Sequence, residues 1–67
     1  MLTDRLKERR EQVGYTQEEL ANKVGVTKQS ISKYEKGLQS PTSIVLSAIA
    51  DVLECSTDYL LGRSGRV

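Results

Sequence analysis

The chain has 67 residues, with ten basic and nine acidic side chains, no histidine and one cysteine. That length makes one domain of modest stability, able to bury about 60% of its unfolded surface. The composition argues against an enzyme. No histidine is present to act as a general base near neutral pH, no Cys/His cluster can hold a catalytic metal, and Cys55 has no histidine to activate it.

Helix-forming residues dominate, proline occurs once and no β-type alternation is sustained, so the expected fold is all-α. A first helix is predicted from about Thr3 to Val13. Leu2, Leu6, Arg10 and Val13 fall on one face, while Asp4, Lys7, Glu8 and Glu11 decorate the others with like and opposite i,i+4 pairs. Arg10 is out of place on an apolar stripe. Either it pairs with a carboxylate, for which Glu35 is the candidate, or it snorkels to the surface. Gly14 ends this helix in a left-handed cap, and Tyr15 packs beside the next start as a staple.

The organising stretch is Thr16 to Gly37, TQEELANKVGVTKQSISKYEKG. Thr16 and Glu19 have the spacing of a capping box, and Leu20, Ala21 and Val24 give the following helix, about Gln17 to Lys23, one apolar face. Gly25 supplies the positive φ of a sharp turn, Val26 plugs that turn into the core, and Thr27 caps a further helix from Lys28 to Lys36. Ile31 and Tyr34 face inward at i and i+3. Lys28, Gln29, Ser32, Lys33 and Lys36 make the opposite face polar and basic. Small Ala21 lets the two helices cross closely. Helix, glycine turn and helix with a basic, amide-bearing outer face is the sequence form of a helix-turn-helix.

Gly37 closes that helix, and Leu38 to Pro41 forms a loop. Thr42 or Ser43 caps a fourth helix reaching about Leu53. Leu46, Ile49, Ala50 and Leu53 share one face, and Ile44, Val45, Ala48 and Val52 spread the apolar character most of the way round. Such a helix is either the centre of the core or partly covered by a second subunit or another domain. Cys55 reads as a small, partly buried apolar residue, with a redox switch or an intermolecular disulfide as alternatives. Ser56 caps a last helix, Thr57 to Leu61, stopped by Gly62. Residues 1–62 then form the domain, and 63–67 a frayed tail or the start of a linker.

The near-neutral net charge of +1 conceals a polarity. Lys23, Lys28, Lys33 and Lys36 face Glu35 alone between Lys23 and Ser40. Pro41 to Gly62 holds Asp51, Glu54 and Asp58 with no basic residue. No apolar run approaches the roughly 20 residues of a membrane span, and the N-terminus lacks a secretory h-region, so no membrane association is expected. A lone cysteine suits a reducing cytoplasm. The five glycines end helices, make the turn or lie in the tail, so there is no phosphate loop and no cofactor is implied.

The run TQEELANKVGVTKQSISKYEKG, the following SP and the later STDYLLG resemble the helix-turn-helix family of phage repressors and Cro proteins over Leu2 to Gly62. The resemblance implies a compact, lambda-repressor-like five-helix bundle. It implies a cytoplasmic regulator of a prokaryotic cell or phage-infected host, acting on double-stranded operator DNA. Lys28, Gln29 and Ser30 match positions the family uses at base edges, and Ser32 and Lys33 match positions one turn on. Gln17 matches a phosphate-binding position, and Lys36 to Gln39 a loop whose backbone N–H groups clasp a phosphate. Arg10 and Glu35 match an interhelical ion pair. Glu54 departs from the pattern, where glycine is common. A repressor binding a palindromic operator as a homodimer is the expected function, with contacts around Ile44, Val45, Val52 and Tyr59. A C-terminal effector or dimerisation domain absent from this sequence fits the same expectation. The alternative is a protein-interaction module or antitoxin on the same scaffold. The bland reading of Lys28, Lys33 and Lys36 is a solvated face.

Overall fold

The computed structural model describes residues 2–67. Among them five helices follow one another without a strand: α1 (Leu2–Val13), α2 (Gln17–Val24), α3 (Lys28–Lys36), α4 (Ser43–Val52) and α5 (Thr57–Leu60). The helix starts follow from hydroxyl chemistry. Thr16, Thr27, Thr42 and Ser56 each hold an extended backbone, and each side-chain oxygen accepts from the backbone N–H three residues on. At Thr16 the box is complete: Glu19 N–H donates to Thr16 Oγ1 at 3.1 Å, and Thr16 N–H donates to Glu19 Oε1 at 2.9 Å. These bonds also hold the Glu19 carboxyl below its ordinary pKa, chiefly through the Thr16 backbone.

The expected boundaries hold to within a residue. The first helix begins at Leu2 rather than Thr3, and the second extends to Val24. The fourth stops at Val52, with Leu53 as its cap, and the fifth at Leu60. The α4–α5 turn is where the irregularity lies. Glu54 adopts φ 54, the one non-glycine residue with positive φ among those described. Its position is the one where the family resemblance leads one to expect glycine, and a Cβ there costs about 1 kcal/mol.

One side chain or more from every helix meets in the core. Leu6, Leu20, Ile31, Ile49, Leu53 and Leu60 are fully buried, each contributing about 1.5–3 kcal/mol relative to exposure. Ala21 is 1% exposed, and α2 packs on α3. α3 also packs on α1, and α4 packs on α2 and α5. At Gly37 a Cβ would stand 3.3 Å from the Thr3 methyl, so α1 comes near the end of α3 at a point where φ is 75 as well. On α4 burial differs from residue to residue. Ile49 and Ala50 are buried and Val45, Leu46 and Val52 are half-buried against the core, but Ile44 is 82% exposed. Cys55 is half-buried, and burial pushes its thiol pKa up, so it carries no activated thiolate.

α1 does more than its apolar stripe predicts. Arg9 Nε donates to the Leu53 carbonyl at 2.8 Å, and its guanidinium reaches the Glu54 carbonyl at 3.2 Å. Arg5 lies over the Tyr59 ring, 4.5 Å from its centroid. The expected Lys7–Glu11 pair is not formed. Arg10–Glu35 is the ion pair found among the described residues.

Candidate nucleic-acid interface

α3 has no acidic residue in its first turn, and its C-terminal turn carries Lys33 and Lys36. Lysines at that end complement the helix dipole, whereas Lys28 stands at the positive end, where a cation is mildly unfavourable, by about 0.3–1 kcal/mol. All three are exposed, as the bland reading of a solvated face requires. With Ile31 and Tyr34 buried beneath, Lys28, Gln29, Lys33 and Lys36 all stand exposed on the outer side. An α-helix with its side chains is about 10–12 Å across, close to the roughly 12 Å width of the major groove.

Glu35 sets how α3 is held. Arg10 Nε donates to Glu35 Oε2 at 2.7 Å, and Arg10 Nη2 donates to Oε1 at 3.1 Å. The side chains are 10% and 5% exposed. Arg10 Nη1 donates to the Tyr15 carbonyl at 2.8 Å. Each guanidinium nitrogen thus donates a hydrogen bond, and Glu35 pushes the pKa further up. Of the two readings of Arg10, the buried pair is the one realised.

The other expected site residues are placed as follows. Gln17, at the start of α2, is half-buried, and its Nε2 donates to Glu35 Oε1 at 3.1 Å. Its amide is therefore joined to the ion pair in the free protein. The Ser30 hydroxyl is turned back onto Thr27 Oγ1 at 3.0 Å. Ser32 is half-buried, and Gln39 is exposed in the loop after α3. That loop spends two of its backbone donors internally. Leu38 N–H donates to the Lys33 carbonyl at 2.9 Å and Gly37 N–H to the Tyr34 carbonyl at 3.3 Å, closing α3 in a Schellman motif. The N–H groups of Gln39 and Ser40 find no partner among the described residues. Tyr59 must be removed from the expected subunit-contact surface, because it is 8% exposed and lies under Arg5. No group of His, Cys, Asp and Glu able to hold a metal occurs among the described residues.

Two features were missed by sequence reasoning. Leu38 is 73% exposed beside the basic helix, and the arginines of α1 bind backbone carbonyls. The exposure of Leu38 has a signal in its place directly after the glycine cap, outside any apolar stripe. The arginine contacts have none, because carbonyl acceptors leave no mark in a sequence.

The arrangement of α2, glycine turn and α3 defines a class, and comparison with known proteins agrees. The helix-turn-helix family model matches residues 6–60, and the chain belongs to that family. It is 40% identical over 62 residues to the HTH-type transcriptional regulator ImmR of Bacillus subtilis (strain 168), covering 92% of this chain and 49% of that protein. Among solved structures it is similar to the P22 c2 repressor in complex with a synthetic operator, at TM-score 0.90 and 33% identity, covering 96% of this chain and 97% of that one. It is also similar to the biofilm regulator SinR in complex with DNA, at TM-score 0.85 and 39% identity, covering 91% and 98%. The chain spans about half the length of the first curated relatives it matches. These relatives are transcriptional regulators, not enzymes. No helix among the described residues is long and apolar enough to cross a membrane.

Proposed function

We propose that this chain is a sequence-specific, double-stranded DNA-binding transcription regulator, a repressor, that lays α3 in the major groove. The observation carrying this reading is the outer side of α3. Four polar or basic side chains stand exposed there, while its inner side is locked by Ile31, Tyr34 and the Glu35 pair. Two structural neighbours on the same scaffold were solved on DNA. An interaction surface would favour aromatic, Met or Leu residues on the outer side of α3. Lys, Gln and Ser suit base edges and phosphates instead.

In this reading Gln29 presents its amide to an adenine edge, and Lys28 or Lys33 donates to guanine O6 and N7. Ser30 and Ser32 line the same side. Lys36, Gln39 and the first-turn N–H groups of α2 beside Gln17 hold phosphates and set register without reading sequence. One domain reads few base pairs. Two copies on half-sites about 34 Å apart double the contacts and give a palindromic operator. The exposed Ile44, with Val45 and Val52 on the same helix, is the apolar surface available for that pairing.

Selection of bound sequences from a random duplex pool tests the whole reading. The expected result is a symmetric site whose binding weakens steeply with salt. Gln29→Ala should relax one position of that site at a cost of about 1–3 kcal/mol. Lys36→Ala should weaken every sequence alike. Recovery of no consensus, or retention on DNA indifferent to salt, overturns the proposal.

A further inference from the structure

The short α5 has one turn, too little to hold itself in water. It is held from outside, and Arg5 supplies much of the grip. The Arg5 guanidinium stacks over the Tyr59 ring at 4.5 Å. One of its nitrogens donates to the Tyr59 carbonyl at 3.2 Å and to the Ser64 carbonyl at 2.8 Å. The second of these acceptors lies beyond α5 and beyond Gly62, in the stretch whose composition reads as tail. Arg63 N–H donates back to the Asp58 carbonyl at 2.8 Å, and Arg66 N–H donates to Ser64 Oγ at 3.1 Å. Ser64 is half-buried, while Gly65, Arg66 and Val67 are exposed.

We propose that Arg5 is a latch that makes Arg63 and Ser64 part of the folded body, so that the polypeptide leaves the domain in one fixed direction along the α1–α5 seam. The freedom of the chain then starts at Gly65, not at Gly62. A free five-residue tail has a root-mean-square reach of about 12 Å, and a three-residue one about 10 Å. Any group joined at Val67 is confined to roughly half the volume, from a fixed origin, which raises its effective concentration about twofold. Arg9, one turn along α1, grips the Leu53 and Glu54 carbonyls and holds the start of the same unit. The two arginines clasp the C-terminal part of the domain at both ends, independently of any DNA contact.

Trypsin reads this directly, since Arg63 is itself a cleavage site adjoining the latched residue. In Arg5→Gln the initial rate of cleavage after Arg63 should rise by at least about tenfold, as expected for losing two hydrogen bonds and a ring contact that close a local opening. Cleavage after Lys23 and Lys33 should keep its rate. The backbone heteronuclear NOE of Ser64 should match that of α1 in the unaltered chain and fall to the value of Val67 in the variant. Arg5→Lys keeps the charge but cannot donate to both carbonyls from a flat guanidinium, and should fall between. Three results each overturn the latch: a Ser64 amide already as mobile as Val67 in the unaltered chain, an Arg63 rate indifferent to Arg5→Gln, or an equal acceleration at Lys23 and Lys33.

Discussion

Glu35→Ala removes one carboxylate and strands three donors. Arg10 loses its bonds of 2.7 and 3.1 Å, and Gln17 loses its bond of 3.1 Å. Gln17 is half-exposed and can turn to water. Arg10 cannot, because its side chain is 10% exposed and its remaining bond, to the Tyr15 carbonyl, holds it inside. The cost is therefore that of an uncompensated buried charge, about 3–5 kcal/mol. A domain of this size has about 3–10 kcal/mol in total. The variant should be marginal or unfolded at 25 °C.

Urea denaturation followed by far-UV circular dichroism measures this. With a slope near 1 kcal/mol per molar, the midpoint should fall by about 3–5 M. Replacing both partners by apolar residues, Arg10→Met with Glu35→Leu, should recover the loss. Removing an ion pair together is often neutral or stabilising, by up to about 4 kcal/mol. The reasoning is refuted if Glu35→Ala costs only a few tenths of a kcal/mol, or if the double replacement is no more stable than the single.

Three other outcomes follow from the geometry. Glu54→Gly should stabilise the domain by up to about 1 kcal/mol, since it removes a Cβ from a left-handed φ; a fall in thermal midpoint would contradict this. Glu19→Gln keeps a residue able to complete the capping box but removes its titration. The depressed Glu19 pKa gives stability that is complete above the ordinary carboxylate value and is lost as pH falls through the lowered one. Stability curves of the two proteins should therefore run parallel above about pH 5 and converge or cross below it; curves parallel down to pH 2 refute the assignment. Lys28→Ala and Gln29→Ala should each change folding stability by less than about 0.5 kcal/mol, because both side chains stand in solvent. A larger loss in a thermal melt would mean that they support the fold.

The fold was most legible where the chain marks its own ends. α3 runs from Lys28 to Lys36 as expected because Thr27 and Gly37 bracket it with opposite chemistry. α4 ends at Val52, a residue short of the expected Leu53, which caps it before Glu54 turns the chain in the left-handed conformation. On α4 the bare side is marked in the sequence: Ser43, Ser47 and Asp51 recur at i, i+4 and i+8 and are all exposed, and Ile44 lies beside that stripe, 82% exposed. The candidate interface was legible in its residue types and less so in its engagement. Gln17 and Ser30 have hydroxyl or amide groups suited to DNA, but both are already bonded within the chain. Such bonds depend on tertiary neighbours that the local sequence does not contain.

In the proposed reading, Glu35 is where folding and recognition meet. The apolar contacts of Ile31 and Tyr34 fix how deeply α3 sits, but burial is non-directional and tolerates roll about the helix axis. A roll of about 20° moves a side chain at 5–6 Å radius by roughly 2 Å. That distance is well beyond the tolerance of a hydrogen bond to a base edge. The two-pronged Arg10 bond is directional, and Gln17 adds a third tie from α2 to the same carboxylate. α3 is thus fastened to both of its neighbours at one angular setting. The Arg10→Met, Glu35→Leu protein separates the two roles. If it is as stable as the original, its affinity for phosphates should persist. Its discrimination between the selected site and random duplex should fall by about tenfold, equivalent to one good bidentate base contact. Discrimination equal to that of the original chain would show that apolar packing alone fixes the roll.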